Sequence, residues 1–131
     1  MRWVEVFAVF LVCHCVGDYL LQTEWQAHHK RGGLGPDPVA RKALASHVAT
    51  YTLAYVPALV WIGIELSLPA AIGIAALVAV PHFVQDDGRL IQAYIGRVKH
   101  TRTEMDGPLF RSVDQSFHLL ALFGVALLTA A

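Results

Sequence analysis

Four apolar stretches dominate this chain, and each is long enough to cross the hydrocarbon core of a membrane. A spanning helix needs about 20 predominantly apolar residues, and the stretches cover residues 3–23, 44–66, 68–86 and 112–131. In a chain of 131 residues they leave room for only two longer connections. The sequence therefore predicts an all-α fold, a single domain over residues 1–131 built as an integral-membrane bundle of four transmembrane helices.

The basic residues predict how this bundle is oriented. Of the ten Lys and Arg residues, four lie between the first two stretches, five lie between the last two, and only Arg2 precedes the first. Because short loops rich in Lys and Arg stay in the cytoplasm, we expect both long connections inside and both termini outside. The predicted location is the cytoplasmic membrane, with the lipid bilayer as partner and with no nucleic acid bound.

Prolines and apolar spacing predict where the helices begin and bend. Asp37-Pro38 is typical of a helix N-terminus, so the second helix should begin before its apolar stretch. Pro57 should kink that helix. Beyond residue 88, apolar side chains recur at helical spacing, which predicts a short amphipathic helix in the second cytoplasmic loop, lying in the membrane interface. Its apolar residues are Leu90, Ile91, Tyr94, Ile95 and Val98.

Histidine and aspartate recur four residues apart inside the apolar stretches. Seven such residues form three pairs and one single histidine: His14 with Asp18, His82 with Asp86, Asp114 with His118, and His47 alone. Residues four apart share one face of a helix, so each pair presents an imidazole beside a carboxylate. Ionisable groups inside a membrane are costly unless they are paired or bind a metal. All seven lie near the predicted cytoplasmic ends of their helices and should meet in one layer.

These seven residues are the predicted metal ligands. They exceed the four ligands that a zinc ion usually takes, which favours two adjacent ions. Mixed imidazole and carboxylate ligands suit Zn, Mn or Fe better than Mg or Ca. We expect a metal-bound water as nucleophile and three catalytic carboxylates: Asp18, Asp86 and Asp114. Three further polar residues are candidates for supporting the ligands or for contacting substrate: Gln22, Gln85 and Gln115. Lys30 and Arg111 are expected at the cytoplasmic mouth, where they could contact substrate. Asp87 is either a helix-end residue or a spare ligand.

Several of these motifs resemble one uncharacterised family. They are H-x-x-x-D-Y-L-L-Q at residues 14–22, H-x-x-x-D at 82–86 and D-Q-x-x-H at 114–118, together with Trp25, Lys30 and His47. In combination they resemble domain of unknown function 3307, a membrane family of bacteria and phages, over nearly the whole chain. The resemblance implies a bacterial inner membrane protein and carries no activity. More loosely, the helices that bear His and Asp are similar to membrane-bound metal-dependent hydrolases, by analogy alone.

Three classes of function suit a layer of His and Asp in a membrane bundle. The favoured one is a metal-dependent hydrolase with a dinuclear centre at the cytoplasmic face, acting on a phosphoester or pyrophosphate, either a lipid phosphate or another anion. One alternative is a haem-binding electron-transfer bundle, because each helix carries a histidine, although haem needs no adjacent carboxylate. The other is a metal-ion or proton transporter, whose pathway would need polar outer halves or the subunit contacts of a homo-oligomer.

Overall fold

The structure is a computed structural model that describes residues 2–130, and this part of the chain is all-helical, as predicted. The end of the predicted fourth span, residue 131, lies outside the described residues. A π-helical segment, Val16–Leu20, directly continues the first helix. The helices are α1 Trp3–Cys15, α2 Glu24–His29, α3 Pro38–Ala54, α4 Val56–Glu65, α5 Leu68–Asp86, α6 Arg89–Val98 and α7 Pro108–Leu128.

Two helical segments are long and apolar enough to cross a membrane, namely Trp3–Leu20 and Leu68–Asp86. Helices α3 and α4 make a third only if they are counted as one span, because they are bent by 50°. Helix α7 has 21 residues, but polar side chains in its first half lower its mean hydropathy. Apolar helices able to span a membrane are therefore present, while the bundle of four spans stays a prediction.

The break between α3 and α4 lies where the sequence predicts a kink. Pro57 occupies the first turn of α4, where its missing N–H leaves no helical hydrogen bond unmade. Helix α3 begins at Pro38, and the Asp37 carboxylate accepts a hydrogen bond of 2.9 Å from the Val39 N–H. Both the kink and the N-terminal cap are confirmed.

Two apolar clusters hold the helices together, and the buried Asp114 and His118 lie between them. The larger cluster includes Phe10, Tyr55 and Leu122, and the smaller one joins α6 to α7. Along α7, the smaller cluster precedes Asp114 and the larger one follows His118. The predicted amphipathic helix is confirmed as α6, which buries one apolar face. Its position in a membrane interface stays a prediction.

Candidate metal centre

Four buried side chains each bring one ligand atom to a common point. They come from the π-helical segment, α3 and α5: Asp18, His47, His82 and Asp86. His47 Nε2 lies 2.8 Å from Asp86 Oδ2, 3.3 Å from Asp18 Oδ1 and 3.1 Å from His82 Nε2. His82 Nε2 lies 3.1 Å from Asp86 Oδ2 and 3.4 Å from Asp18 Oδ1. A tetrahedral zinc ion with bonds of 2.0–2.1 Å separates its ligand atoms by about 3.3 Å, so this first group has the dimensions of such a site.

A second group lies on the other side of Asp86 and adds Asp114 and His118 from α7. His118 Nδ1 donates a hydrogen bond of 2.8 Å to the backbone carbonyl of Asp114. When Nδ1 carries the proton of a neutral ring, Nε2 carries a lone pair, and this atom lies 3.5 Å from Asp86 Oδ1. A lone pair facing a carboxylate is repulsive unless a cation lies between them. Metal-bound histidines usually have such a hydrogen bond on their second nitrogen.

Asp86 belongs to both groups. Its Oδ2 atom faces the two histidines of the first group, and its Oδ1 atom faces His118. Asp86 has no exposed surface, and helix α5 fixes its backbone at the C-terminal turn. One carboxylate that offers an oxygen to each of two neighbouring sites is the arrangement by which two-metal centres are bridged.

Several buried polar atoms in these groups have no hydrogen-bond partner among residues 2–130. Four of them are ligand-type atoms of the two groups: Asp18 Oδ1, Asp86 Oδ1, Asp114 Oδ1 and His118 Nε2. Buried polar atoms are normally paired, and Lys30 and Arg31 contact these carboxylates only at other oxygens or at longer distances, so the four atoms are free to act as ligands. The Nδ1 atoms of His47 and His82 also lack partners, so these two rings have no hydrogen bond like the one on His118.

His14 lies outside both groups; its Nε2 atom is 3.8 Å from Asp18 Oδ2, and hydrogen bonds through other side chains also connect the two residues. Tyr51 Oη is 2.8 Å from Tyr55 Oη and 3.0 Å from His14 Nδ1. His14 Nε2 is 2.9 Å from Gln115 Oε1, and Gln115 Nε2 donates to Asp18 Oδ2 at 3.4 Å. The predicted ligand His14 is thus part of a hydrogen-bonded chain that supports Asp18. Sequence analysis missed both tyrosines, although Tyr51 lies one helical turn from His47.

Tyr51 also fixes the ring of His82. The two rings stack with centroids 3.4 Å apart and planes 8° apart. This contact depends on Gly17, because a Cβ atom there would lie 2.5 Å from the Tyr51 ring. Gly17 belongs to the π-helical segment that carries Asp18, and such segments are frequent at functional sites.

We expect Gly17→Ala to destabilise the protein and to weaken metal binding, because the added methyl group pushes Tyr51 away from His82. Overpacking of this kind costs about 1–3 kcal/mol, measurable as a lower midpoint of unfolding in detergent. Gly73→Ala is the matched control, since its Cβ would meet nothing within 4 Å and alanine favours a helix. Equal stability of the two variants would show that the Tyr51 contact does not matter.

Lys30 lies deeper than the sequence predicts. Its side chain is buried, and Nζ donates to Asp86 Oδ2 at 2.8 Å and to Gln22 Oε1 at 2.7 Å. Lys30 is thus buried and not exposed at a mouth, because the buried carboxylate of Asp86 needs a cation beside it. Lys30 also lines the cavity, and its contact with substrate stays a prediction. Gln22 holds the Lys30 ammonium group, whereas Gln85 donates to the backbone of Phe117 at 3.2 Å.

Arg31 is a site residue that sequence analysis missed. Its guanidinium donates to Asp114 Oδ2 and to the backbone carbonyl of Asp86, both at 3.1 Å. It also lies over the Phe110 ring, 4.7 Å from the ring centroid. The only signal in the sequence is its position next to Lys30. Arg31 therefore connects the loop after α2 to the second group.

Asp87 holds the same loop in place and belongs to neither metal group. Its Oδ1 atom accepts a hydrogen bond of 2.7 Å from the Leu34 N–H, and its Oδ2 atom accepts one of 2.6 Å from Arg89. Burial raises the pKa of Asp87, but the Arg89 guanidinium and the Leu34 N–H lower it further, and the net pKa lies below the usual range. Asp87 is thus an ionised helix-end residue that positions the segment of Lys30 and Arg31.

A cavity of about 350 Å³ lies beside the two groups. Asp18 and Asp114 reach its wall from the metal groups, and Lys30, Arg31 and Arg111 supply positive charge. Arg111 is exposed and lines the cavity, and its place at a cytoplasmic mouth stays a prediction. An anionic molecule in this cavity would contact basic side chains and lie next to the candidate ligands.

The fold and the site define an all-helical protein with apolar helices able to span a membrane and a buried His/Asp cluster able to hold metal ions. The chain belongs to the family described as Protein of unknown function (DUF3307), whose family model matches residues 6–131. The resemblance to domain of unknown function 3307 is therefore confirmed, whereas the looser similarity to membrane-bound hydrolases stays a prediction. No curated protein and no solved structure matches the chain.

Proposed function

We propose that this protein is an integral-membrane, metal-dependent hydrolase that acts on a phosphoester or pyrophosphate at the cytoplasmic face. The observation that carries the proposal is the position of Asp86, with one carboxylate oxygen in each of two neighbouring groups of ligands. Enzymes with two adjacent metal ions use such a bridge in displacement reactions at phosphorus. Zn, Mn and Fe are the ions that suit the mixed donor set.

The charge of the site favours an anionic substrate. The carboxylates of the two metal groups contribute three negative charges, and Lys30 and Arg31 contribute two positive charges. With neutral histidines as ligands, two divalent ions would leave three net positive charges. A phosphate or pyrophosphate ester would neutralise much of this charge, whereas a neutral peptide or amide would not.

Different side chains would hold the two ions and bind the substrate. Asp18, His47, His82 and Asp86 would hold one ion, and Asp86, Asp114 and His118 would hold the other. The ions, when bound, would activate a water molecule and stabilise the charge that develops on the substrate. Lys30 orients the shared carboxylate of Asp86, and Arg31 orients Asp114. Arg31 and Arg111 would bind the anion from the cavity wall.

The alternatives have less support. A haem iron with two axial histidines needs space for the macrocycle between the imidazoles, but the Nε2 atoms of His47 and His82 are 3.1 Å apart. A transporter needs polar groups across the membrane, but the larger cluster beyond His14 and His118 is almost entirely apolar. These observations favour hydrolysis over both alternatives.

The proposal includes four spans and a definite orientation. The Asp114 and His118 side chains that make α7 less apolar are buried inside the protein, so α7 can present its apolar side chains to lipid. In intact cells we expect a cysteine replacing Trp3 to react with an impermeant thiol reagent added outside, and a cysteine replacing Arg97 to react only after permeabilisation.

The labelling background is Cys15→Ser, because Cys15 is exposed and Cys13 is buried. Reaction of the cysteine at position 97 from outside, with protection at position 3, would reverse the orientation and with it the cytoplasmic location of the site.

Hydrolysis is tested with a panel of phosphoesters and pyrophosphates, with peptide and amide substrates alongside. The protein in detergent is loaded with Zn or Mn, and the control is the same preparation after chelation. Turnover of the phosphorus compounds that disappears on chelation and returns with metal is the expected result. Inactivity of the metal-loaded protein across the whole panel would refute the proposal.

A further inference from the structure

Exposed apolar side chains lie next to the mouth of the cavity. Leu20 is 76% exposed and Leu21 is 45% exposed. They lie between Tyr19 and Gln22, both of which line the cavity. This short segment is also the end of the candidate span Trp3–Leu20. The cavity wall at Tyr19 and Gln22 is therefore continuous along the chain with the exposed apolar end of this candidate span.

The basic wall of the cavity carries charged side chains instead of apolar ones. Arg111 is exposed and makes no hydrogen bond or ion pair with other side chains among residues 2–130. Arg31 is already fixed by Asp114 and by the Phe110 ring, so it is preorganised. Asp106 is the one acidic residue of this wall that does not belong to the metal groups. Apart from the carboxylates of the two metal groups, the wall therefore carries three positive side chains, Lys30, Arg31 and Arg111, against one negative side chain, Asp106.

We propose that the cavity binds the phosphorylated headgroup of a membrane amphiphile. Its phosphate would lie against Arg31 and Arg111, and its apolar chain would lie along Leu20 and Leu21. The inference deepens the proposed function and rests on it for the reaction that follows binding. Guanidinium groups suit phosphate because they donate paired hydrogen bonds to its oxygens.

The size of the cavity agrees with a headgroup. Its volume of about 350 Å³ is at the small end of the range for ligand sites, roughly 300–1,000 Å³. A phosphorylated headgroup fits this space, while long acyl or prenyl chains must stay outside it, in the bilayer. A soluble phosphate would satisfy the arginines but would gain nothing from Leu20 and Leu21. The apolar flank therefore favours the amphiphile over a soluble ester of the same headgroup.

The test compares two ligands that share a headgroup. Dihexanoyl phosphatidic acid carries short acyl chains, and glycerol 3-phosphate carries none. Both are titrated calorimetrically into the metal-loaded protein in detergent. We expect the lipid to bind at least about tenfold more tightly, because its chains bury apolar surface that the soluble ester lacks. Equal affinities would overturn the inference.

Variants separate the two parts of the site. Arg111→Gln should weaken both ligands by roughly tenfold, the usual cost of losing a hydrogen bond to a charged group. Leu21→Asn should weaken the lipid and leave glycerol 3-phosphate unchanged. Arg97→Gln is the control, an exposed basic residue of α6 that does not line the cavity, and it should change neither affinity. Lipid binding that is insensitive to Arg111→Gln would place the headgroup elsewhere and overturn the inference.

Failure of the inference and failure of the proposed function give different results. Metal-dependent hydrolysis of soluble phosphoesters, without tighter binding of the lipid, would overturn the headgroup site but would agree with the proposed hydrolase. Tighter binding of the lipid by a protein that takes up no metal would support the headgroup site and refute the hydrolase.

Discussion

Asp86→Ala is expected to remove both metal ions, whereas Asp18→Ala and Asp114→Ala are each expected to remove only one. Asp86 offers an oxygen to each group, but Asp18 belongs only to the first and Asp114 only to the second. Elemental analysis of the purified protein should find about two ions per wild-type chain, as in bridged two-metal sites. It should find close to none in Asp86→Ala and about one in each of the other variants.

The controls separate loss of metal from loss of the fold. Removal of Asp86 leaves the buried Lys30 ammonium without its carboxylate, and breaking a buried pair costs about 3–5 kcal/mol. The double variant Asp86→Ala/Lys30→Met removes that uncompensated charge and should unfold less easily, yet remain metal-free. Glu24→Ala, an exposed carboxylate, should keep both ions. Asp86→Ala with one ion retained, or Asp18→Ala with none, would contradict a bridge through Asp86.

Local patterns in the sequence were sufficient to predict much of the fold. The apolar stretches predicted helices, Asp37-Pro38 predicted the start of α3, and Pro57 predicted the bend, because each signal acts within a turn or two. The π-helical segment at Val16–Leu20 could not be predicted in this way. Within it, Gly17 packs against Tyr51, a contact between residues distant in sequence that no local pattern reports.

The candidate site was predictable where helical spacing determines it. The three His/Asp pairs and His47 were singled out as one layer, and the structure brings six of these seven residues into two adjoining groups. The role of His14 depends on Gln115, which is 101 residues away, and no local pattern reports such a contact. The depth of Lys30 likewise depends on the partner that the fold supplies, here Asp86, and not on its position in a loop.

Hydrolysis should separate the residues that hold metal from those that contact substrate. Asp114→Ala is expected to lower kcat more than about a hundredfold, because even the outer partners of metal ligands contribute 10–100-fold. Arg111→Gln is expected to raise KM roughly tenfold with little change in kcat, the pattern for a binding contact kept in ground and transition states. Initial rates over a range of substrate concentration give both constants for a phosphoester that the metal-loaded protein cleaves.

The contrast between these two variants distinguishes a catalytic centre from a metal site that only stabilises the fold. Asp114→Ala removes a ligand, so excess Zn or Mn should not restore full activity, whereas Arg111→Gln should keep the wild-type metal content. Arg97→Gln lies away from the cavity and should match the wild type in kcat and KM. Turnover that survives both Asp114→Ala and chelation would come from another source. If Arg111→Gln lowered kcat and left KM unchanged, the basic wall would act on the reaction itself and not on substrate binding.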